Sequence, residues 1–276
     1  LDLLAQVADD ARPQRREREH RVAQVARRED RLGVVGGPVV DRPGEAEVAR
    51  ARKVEPRVAP APPACVQPGS LAEDPARLAR GGEGEVFMGE YQGDSVVLKK
   101  MSLVGVTATK RQKMLNSFKS ELAIMVRLRS PRVAQFYGVV TTDTTFLGLV
   151  MEYCAGGSLR AALDDESGVV TGALQRTWSA DVALGMAFLY AQGVEHRDLK
   201  TLNLLVDGRM RVKVADFGQS RWHDEVSSVV ANGTPHGTPA YLAPEVIRGH
   251  PSGELVDVFA FGIILWEIFA ERVPYE

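Results

Sequence analysis

Before Phe87 the chain has no phenylalanine, tyrosine or tryptophan. Without aromatic side chains a compact core is hard to build. Residues 1–69 are therefore expected to be a low-complexity, disordered extension that closes in a Pro-rich linker over 58–68. Lysine is also scarce there, Lys53 being the only one before Val66. One marginal helix over 14–32 is the most this stretch promises. Its neighbouring charges (Arg15, Arg16, Glu17, Arg18, Glu19) are mixed in sign, which suits a solvated segment better than a partner-binding helix. Cysteine is nearly absent: Cys65 and Cys154 lie far apart, suggest no disulfide framework and fit a reducing, intracellular setting. A net charge of -2 supplies no global field toward nucleic acid or a membrane surface. No apolar run is long enough for a bilayer. The longest, 256–270, contains Asp257 and Glu267 and reads as a buried core helix. The chain opens on Leu1 without a secretory signal, so a fragment or gene-model translation is expected at this end.

From about Ser70 the character changes. Apolar residues make up 45% of the whole chain, enough for a sizeable core. Short β-type runs occur at 86–87, 96–98, 136–140 and 146–151, bounded by Gly, Asp and Thr. Between the second and third, Leu115, Phe118, Leu122, Met125 and Leu128 recur at helical spacing and predict one apolar helix face. After Gly157 the pattern turns mostly helical, and 173–192 places Trp178, Val182, Met186 and Leu189 on one side. A strand-rich part with one helix, then a helix-rich part, predicts an α+β fold of two lobes with a cleft between them.

Several segments carry chemistry. In Arg80-Gly81-Gly82-Glu83-Gly84-Glu85-Val86, small residues let backbone N–H groups approach phosphate oxygens; a plain hairpin turn has the same look. Val96-Val97-Leu98-Lys99 ends an apolar strand on a cation, as strand edges also do. His196-Arg197-Asp198-Leu199-Lys200-Thr201-Leu202-Asn203 is more specific, and Asp216-Phe217-Gly218 follows it after an expected hairpin over 204–215. Asn203 and Asp216 offer hard oxygen ligands suited to Mg²⁺. Asp198 is placed to orient a hydroxyl and accept its proton. The lysines neutralise phosphate charge. Metal, cationic clamp and oriented nucleophile are the parts that phosphoryl transfer needs.

In this order, and with Ala243-Pro244-Glu245 after them, the segments resemble the signature set of eukaryotic protein kinases over roughly residues 70–276. The resemblance implies an N-lobe at about 70–153 with an antiparallel sheet and one helix, and a mainly helical, partial C-lobe at 154–276. It implies ATP and Mg²⁺ as cofactors and a protein as substrate, with no nucleic acid and no membrane span. Lys99 then binds the α/β-phosphates and pairs with Glu121; Asp198 is the catalytic base; Asn203 and Asp216 hold the metal. Ala79, Gly81 and Gly84 belong to the phosphate loop. Val86, Val97 and Leu205 sandwich adenine, Met151 gates the back of the pocket, and Glu152-Tyr153-Cys154 is the hinge. Cys154 is a candidate thiol at the pocket rim, or an ordinary small residue. His196 and Phe217, with Met125, Phe136 and Asp257, match the stacked spine of active kinases, which makes His196 structural. Lys200 and the run from Gly237 and Thr238 to Glu245 are of the Ser/Thr type. The segments 150–159 and 257–268 are similar to the tyrosine-kinase-like group, near mixed-lineage and Raf-like kinases. Arg197 implies regulation by a phosphate on the loop between Asp216 and Glu245, where Ser227, Ser228 and Thr234 are candidate acceptors.

The chain also departs from the pattern. Ala79 stands for the first glycine, Glu83 for a frequent aromatic at the loop tip, and Val97 for a small alanine against adenine. Glu195 occupies a position usually apolar before the histidine, and Gln219 follows Asp-Phe-Gly where leucine is common. None removes a catalytic group. The chain ends at Glu276, where such domains usually continue into helices carrying an arginine partner for Glu245. A non-catalytic nucleotide-binding or scaffolding module therefore remains an alternative, as does a small-molecule kinase of related fold.

Overall fold

The alternation Val96, Leu98 against Val97, Lys99 forces two faces onto one strand. The computed structural model describes residues 64–66, 77–81, 84–141, 145–165, 170–223, 237–250, 253 and 255–275. The helix expected over 14–32, the loop tip at Gly82 and Glu83, and Ser227, Ser228 and Thr234 lie outside them.

Strands β1 (Ala64–Cys65), β2 (Arg77–Gly81), β3 (Gly84–Tyr91), β4 (Asp94–Ser102), β5 (Phe136–Val140) and β6 (Phe146–Glu152) form one sheet, ordered β1-β5-β6-β4-β3-β2. All neighbours are antiparallel except β1 and β5, which run parallel. Thus part of the stretch expected as a linker joins the sheet. Val66 donates its N–H to the Val139 carbonyl at 2.8 Å. Its side chain is buried with Val96, Leu98, Val140, Phe146 and Val150. Each such side chain contributes roughly 1.5–3 kcal/mol by leaving water.

Helix α1 (Ala108–Met125) starts at Thr107, whose side chain accepts from the Lys110 N–H. Its expected seam is buried at Phe118, Leu122 and Met125, with Leu128 just beyond its end. Leu115 lies half-buried, one turn nearer the helix start.

The second part begins with α2 (Leu159–Leu163), capped by Ser158, and α3 (Gly172–Ala191), capped by Thr171. Trp178, Val182 and Leu189 of α3 are fully buried. Strand β7 (Val194–Glu195) leads to a 3₁₀ turn, Thr201–Asn203, and the expected hairpin of β8 (Leu204–Val206) and β9 (Val212–Val214) follows. Strand β10 (Arg221–Trp222) pairs with β7, and further along the chain lie a 3₁₀ turn Pro239–Tyr241, α4 (Pro244–Ile247) and α5 (Leu255–Ala270). The last is the apolar run of the sequence. It buries Val256, Ala260, Ile264 and Ile268 and leaves Leu255, Val258, Trp266 and Phe269 exposed. Among the described residues no helix is long and apolar enough to cross a membrane.

Candidate active site

In antiparallel pairs, residues directly opposite share a face. Val86 faces Lys99, Met88 faces Val97, Val97 faces Met151 and Lys99 faces Leu149. One face of the sheet therefore carries Val86, Val97, Lys99 and Met151 together. The core residues Val96, Leu98 and Val150 occupy the other. Ala79 pairs with Val86 and Gly81 with Gly84, which closes the β2–β3 hairpin at the edge of the sheet. Gly84 has φ +143°, and a Cβ there would lie 2.4 Å from the Lys100 carbonyl oxygen. Any other residue here must shift the backbone of β3 or β4.

The helix brings its acid to the same place. Lys99 Nζ lies 3.4 Å from Glu121 Oε1 and 2.8 Å from Asp216 Oδ1. Residues remote in sequence thus meet at one ammonium; the contact with Glu121 is the expected one, and the contact with Asp216 is additional. Burial alone would raise the Asp216 pKa, but the ammonium of Lys99 outweighs it and holds the carboxyl below its ordinary 3.8.

Below the cleft, the backbone leaving β7 is bent by a buried acid. Asp257, in the first turn of α5, accepts from the N–H of His196 at 2.7 Å and of Arg197 at 2.8 Å. These bonds hold Arg197 in the left-handed region, at φ 67°, where a non-glycine residue is strained. His196 is fully buried, its Nε2 is 3.0 Å from the Ala215 carbonyl oxygen, and its ring tilts against Phe217 at 5.4 Å. It is therefore a packing residue, as expected, and Met125 and Phe136 are buried too.

Asp198 is gripped from four sides. Oδ1 accepts from Thr238 Oγ1 at 2.8 Å and Thr238 N–H at 3.1 Å. Oδ2 accepts from Lys200 Nζ at 2.6 Å and Asn203 Nδ2 at 3.1 Å. Lys200 also donates to Thr238 Oγ1 at 2.8 Å. The Asn203 amide nitrogen donates further to the Asp198 carbonyl at 2.7 Å, which turns the amide oxygen the other way. Asp216, at φ 62°, is strained like Arg197.

The hinge side chains have partners of their own. Glu152 binds Lys213 Nζ at 2.6 Å and the Gln135 N–H at 3.1 Å, so its carboxylate serves the lobe junction. The Cys154 thiol is 6% exposed and burial pushes it up to about 12, so it is not a reachable thiol at a pocket rim. Gly156 and Gly157 exchange backbone hydrogen bonds with Val206 at 2.9 and 2.8 Å. Leu204 and Val206 point into the core, which leaves the intervening Leu205 on the opposite side of β8, half-buried.

Sequence reasoning missed a second buried network. Glu267 of α5 has no exposed surface. It accepts from Arg160 at 3.1 Å, Thr201 at 3.0 Å and Tyr241 at 2.7 Å. The network ties α2 to the 3₁₀ turn after Lys200 and to the segment after Thr238. An acid inside an apolar run was its only local signal. Asp181, also fully buried, binds Arg211 Nε at 2.8 Å and the Val212 N–H at 3.0 Å, and so fastens β9 to α3. Among the described residues, no cluster of three or more His, Cys, Asp or Glu is arranged for a metal. A metal held here would rest instead on one acid and one amide, Asp216 and Asn203, a sparse oxygen set of the kind that suits Mg²⁺.

A sheet with one helix over a helical part, with a lysine–acid pair above and an Asp-Lys-Asn-Thr cluster below, is the two-lobed fold of a protein kinase. The model of the protein kinase domain family matches residues 73–276, and the chain belongs to that family. It is 40% identical over 203 residues to the probable serine/threonine-protein kinase drkC of Dictyostelium discoideum, covering 72% of this chain and 26% of that one. It is 36% identical over 199 residues to mitogen-activated protein kinase kinase kinase 13-B of Xenopus laevis, covering 72% and 19%. It is 36% identical over 203 residues to the dual specificity protein kinase shkB of Dictyostelium discoideum, covering 72% and 30%. The chain thus spans between 19% and 30% of the length of these curated relatives.

Proposed function

We propose that the protein is an ATP-dependent serine/threonine protein kinase of the tyrosine-kinase-like group. The observation that carries this reading is the double contact of Lys99 with Glu121 and Asp216. A helix acid and an acid of the second lobe meet on one cation, in the geometry that a phosphate clamp needs. Val86, Val97, Leu205 and Met151, with the backbone of Glu152 and Cys154, would hold the adenine of ATP. Ala79, Gly81 and Gly84 line the phosphate loop. Asn203 and Asp216 would hold Mg²⁺, which would supply positive charge against the phosphates. Lys99 positions the phosphates. Asp198 orients the attacking hydroxyl and accepts its proton, and Lys200 compensates charge beside it. Thr238, bonded to both Asp198 and Lys200, supports the Ser/Thr assignment. The substrate is a protein and the setting intracellular, which the free thiols support.

The test is transfer of labelled γ-phosphate from MgATP to a generic protein, with the labelled residue identified. Asp198→Asn is expected to lower the rate by about 10²- to 10⁴-fold, the usual worth of a general base, while ATP still binds. A folded ATP binder without transfer would leave a scaffolding module. Transfer that survives the substitution would remove Asp198 from its role.

A further inference from the structure

Glu195 breaks the apolar pattern of its strand, yet its side chain is only 6% exposed. A carboxylate at such a site needs a cation. Arg221 supplies it: its Nε donates to Glu195 Oε2 at 3.1 Å, with the arginine side chain 13% exposed. The two residues are also direct partners in the β7–β10 ladder, Arg221 opposite Glu195 and Trp222 opposite Val194. This short ladder is where the loop leaving Asp216 first touches the strand that enters the catalytic turn. Ser220 Oγ donates to the His196 carbonyl at 3.1 Å, and the His223 N–H to the Gly193 carbonyl at 3.0 Å. Trp222 lies buried under the Arg127 guanidinium, 5.0 Å from its ring centre and just past the end of α1.

We infer that the Glu195–Arg221 ion pair is a positioning device that locks the register of β10 on β7 and so holds Asp216 against Lys99. Two residues paired over a few backbone hydrogen bonds make a marginal sheet. The buried charge converts that weak ladder into a strong preference, because detaching β10 takes the cation away from a carboxylate that is only 6% exposed. An apolar residue at the same place would leave the ladder free to open. The role of Asp216 in this inference rests on the kinase reading; the locking of the ladder does not.

The experiment is amide hydrogen exchange, followed by mass spectrometry over 219–223 in the full chain, beside phosphoryl transfer. Arg221→Gln is expected to speed exchange there by about tenfold or more, while α3 keeps its protection. Arg221→Lys, which keeps the charge, is expected to stay near the parent. Glu195→Leu/Arg221→Gln, which leaves no stranded acid but also lacks the ion pair, is expected to exchange over 219–223 as fast as Arg221→Gln. In parallel, kcat/KM for ATP falls in Arg221→Gln and returns in Arg221→Lys. If Arg221→Gln does not fold, the contrast between Arg221→Lys and the double variant carries the test. Unchanged protection in Arg221→Gln, or a lysine variant as open as the glutamine one, would overturn the inference. A parent chain with the expected exchange pattern but no transfer would count against the kinase reading alone.

Discussion

A carboxyl and a thiol show how neighbourhood sets the behaviour of single side chains. Asp216 titrates below its ordinary 3.8 because Lys99 stands against it. A group whose folded pKa is depressed stabilises the fold above its unfolded value and loses that contribution as pH falls through the folded one. Stability should therefore drop below about pH 4, and Asp216→Asn should flatten that limb in denaturant titrations run across the acid range. The Cys154 thiol, raised by burial to about 12, should resist alkylation at neutral pH. Cys65, partly exposed on β1, should label first. Peptide mapping after brief iodoacetamide treatment checks this, and equal labelling of both in the folded protein would contradict the burial. Lys200, Thr238 and Asn203 belong to this scale too: their meaning lies in sharing one partner, Asp198.

Strands and turns impose their own constraint, and Gly84 is its sharpest point. At φ +143°, with the Lys100 carbonyl oxygen 2.4 Å from a Cβ built there, Gly84→Ala must move backbone against backbone. It should destabilise the first lobe by about 1–3 kcal/mol, the usual cost of a strained backbone residue. The KM for ATP should rise with it, since the hairpin that would cover the phosphates is the part displaced. Thermal unfolding and initial rates read the two effects separately. Elements also explain why β5 and β6 and the centres of β3 and β4 were legible. The β5 run over 136–140 was read with its observed ends, and Val96 to Lys99 alternates as a strand with two different faces must. The α1 seam was equally plain, because Phe118, Leu122 and Met125 keep helical spacing and are all buried. Strand β1 was not legible. Two residues beside prolines carry no period, and only the open edge of β5 and the pocket that receives Val66 give them structure.

Across the whole molecule, buried acids on α5 organise what lies above them. Asp257 bends the chain at His196 and Arg197; Glu267 gathers Arg160, Thr201 and Tyr241. Removing one partner from a buried charge costs about 3–5 kcal/mol. Arg160→Met should therefore be strongly destabilising and loosen the segment after Thr238. Asp164→Asn should change little, because Asp164 is 60% exposed and sits at the solvent side of the same arginine. Denaturant midpoints of the two variants decide it, and equal losses would mean that Arg160 acts through Asp164 instead. Arg160 and Glu267 are far apart in the chain and share no motif, which is why the pair was invisible until the helices were packed.

By itself the sequence determined the family, the two-lobed fold and the strands and helices of the long periodic runs, and it named Lys99, Glu121, Asp198, Lys200, Asn203 and Asp216 as candidates. Local order suffices for these, since spacing fixes a face and an ordered motif set fixes a family. Only the tertiary structure decided the partners. It joined Glu195 to Arg221, turned Glu152 toward Lys213, sealed the Cys154 thiol and brought Val66 into the core. The physical reason is that each of these depends on what lies across a gap in space, where burial and charge complementarity act and sequence spacing gives no measure of distance.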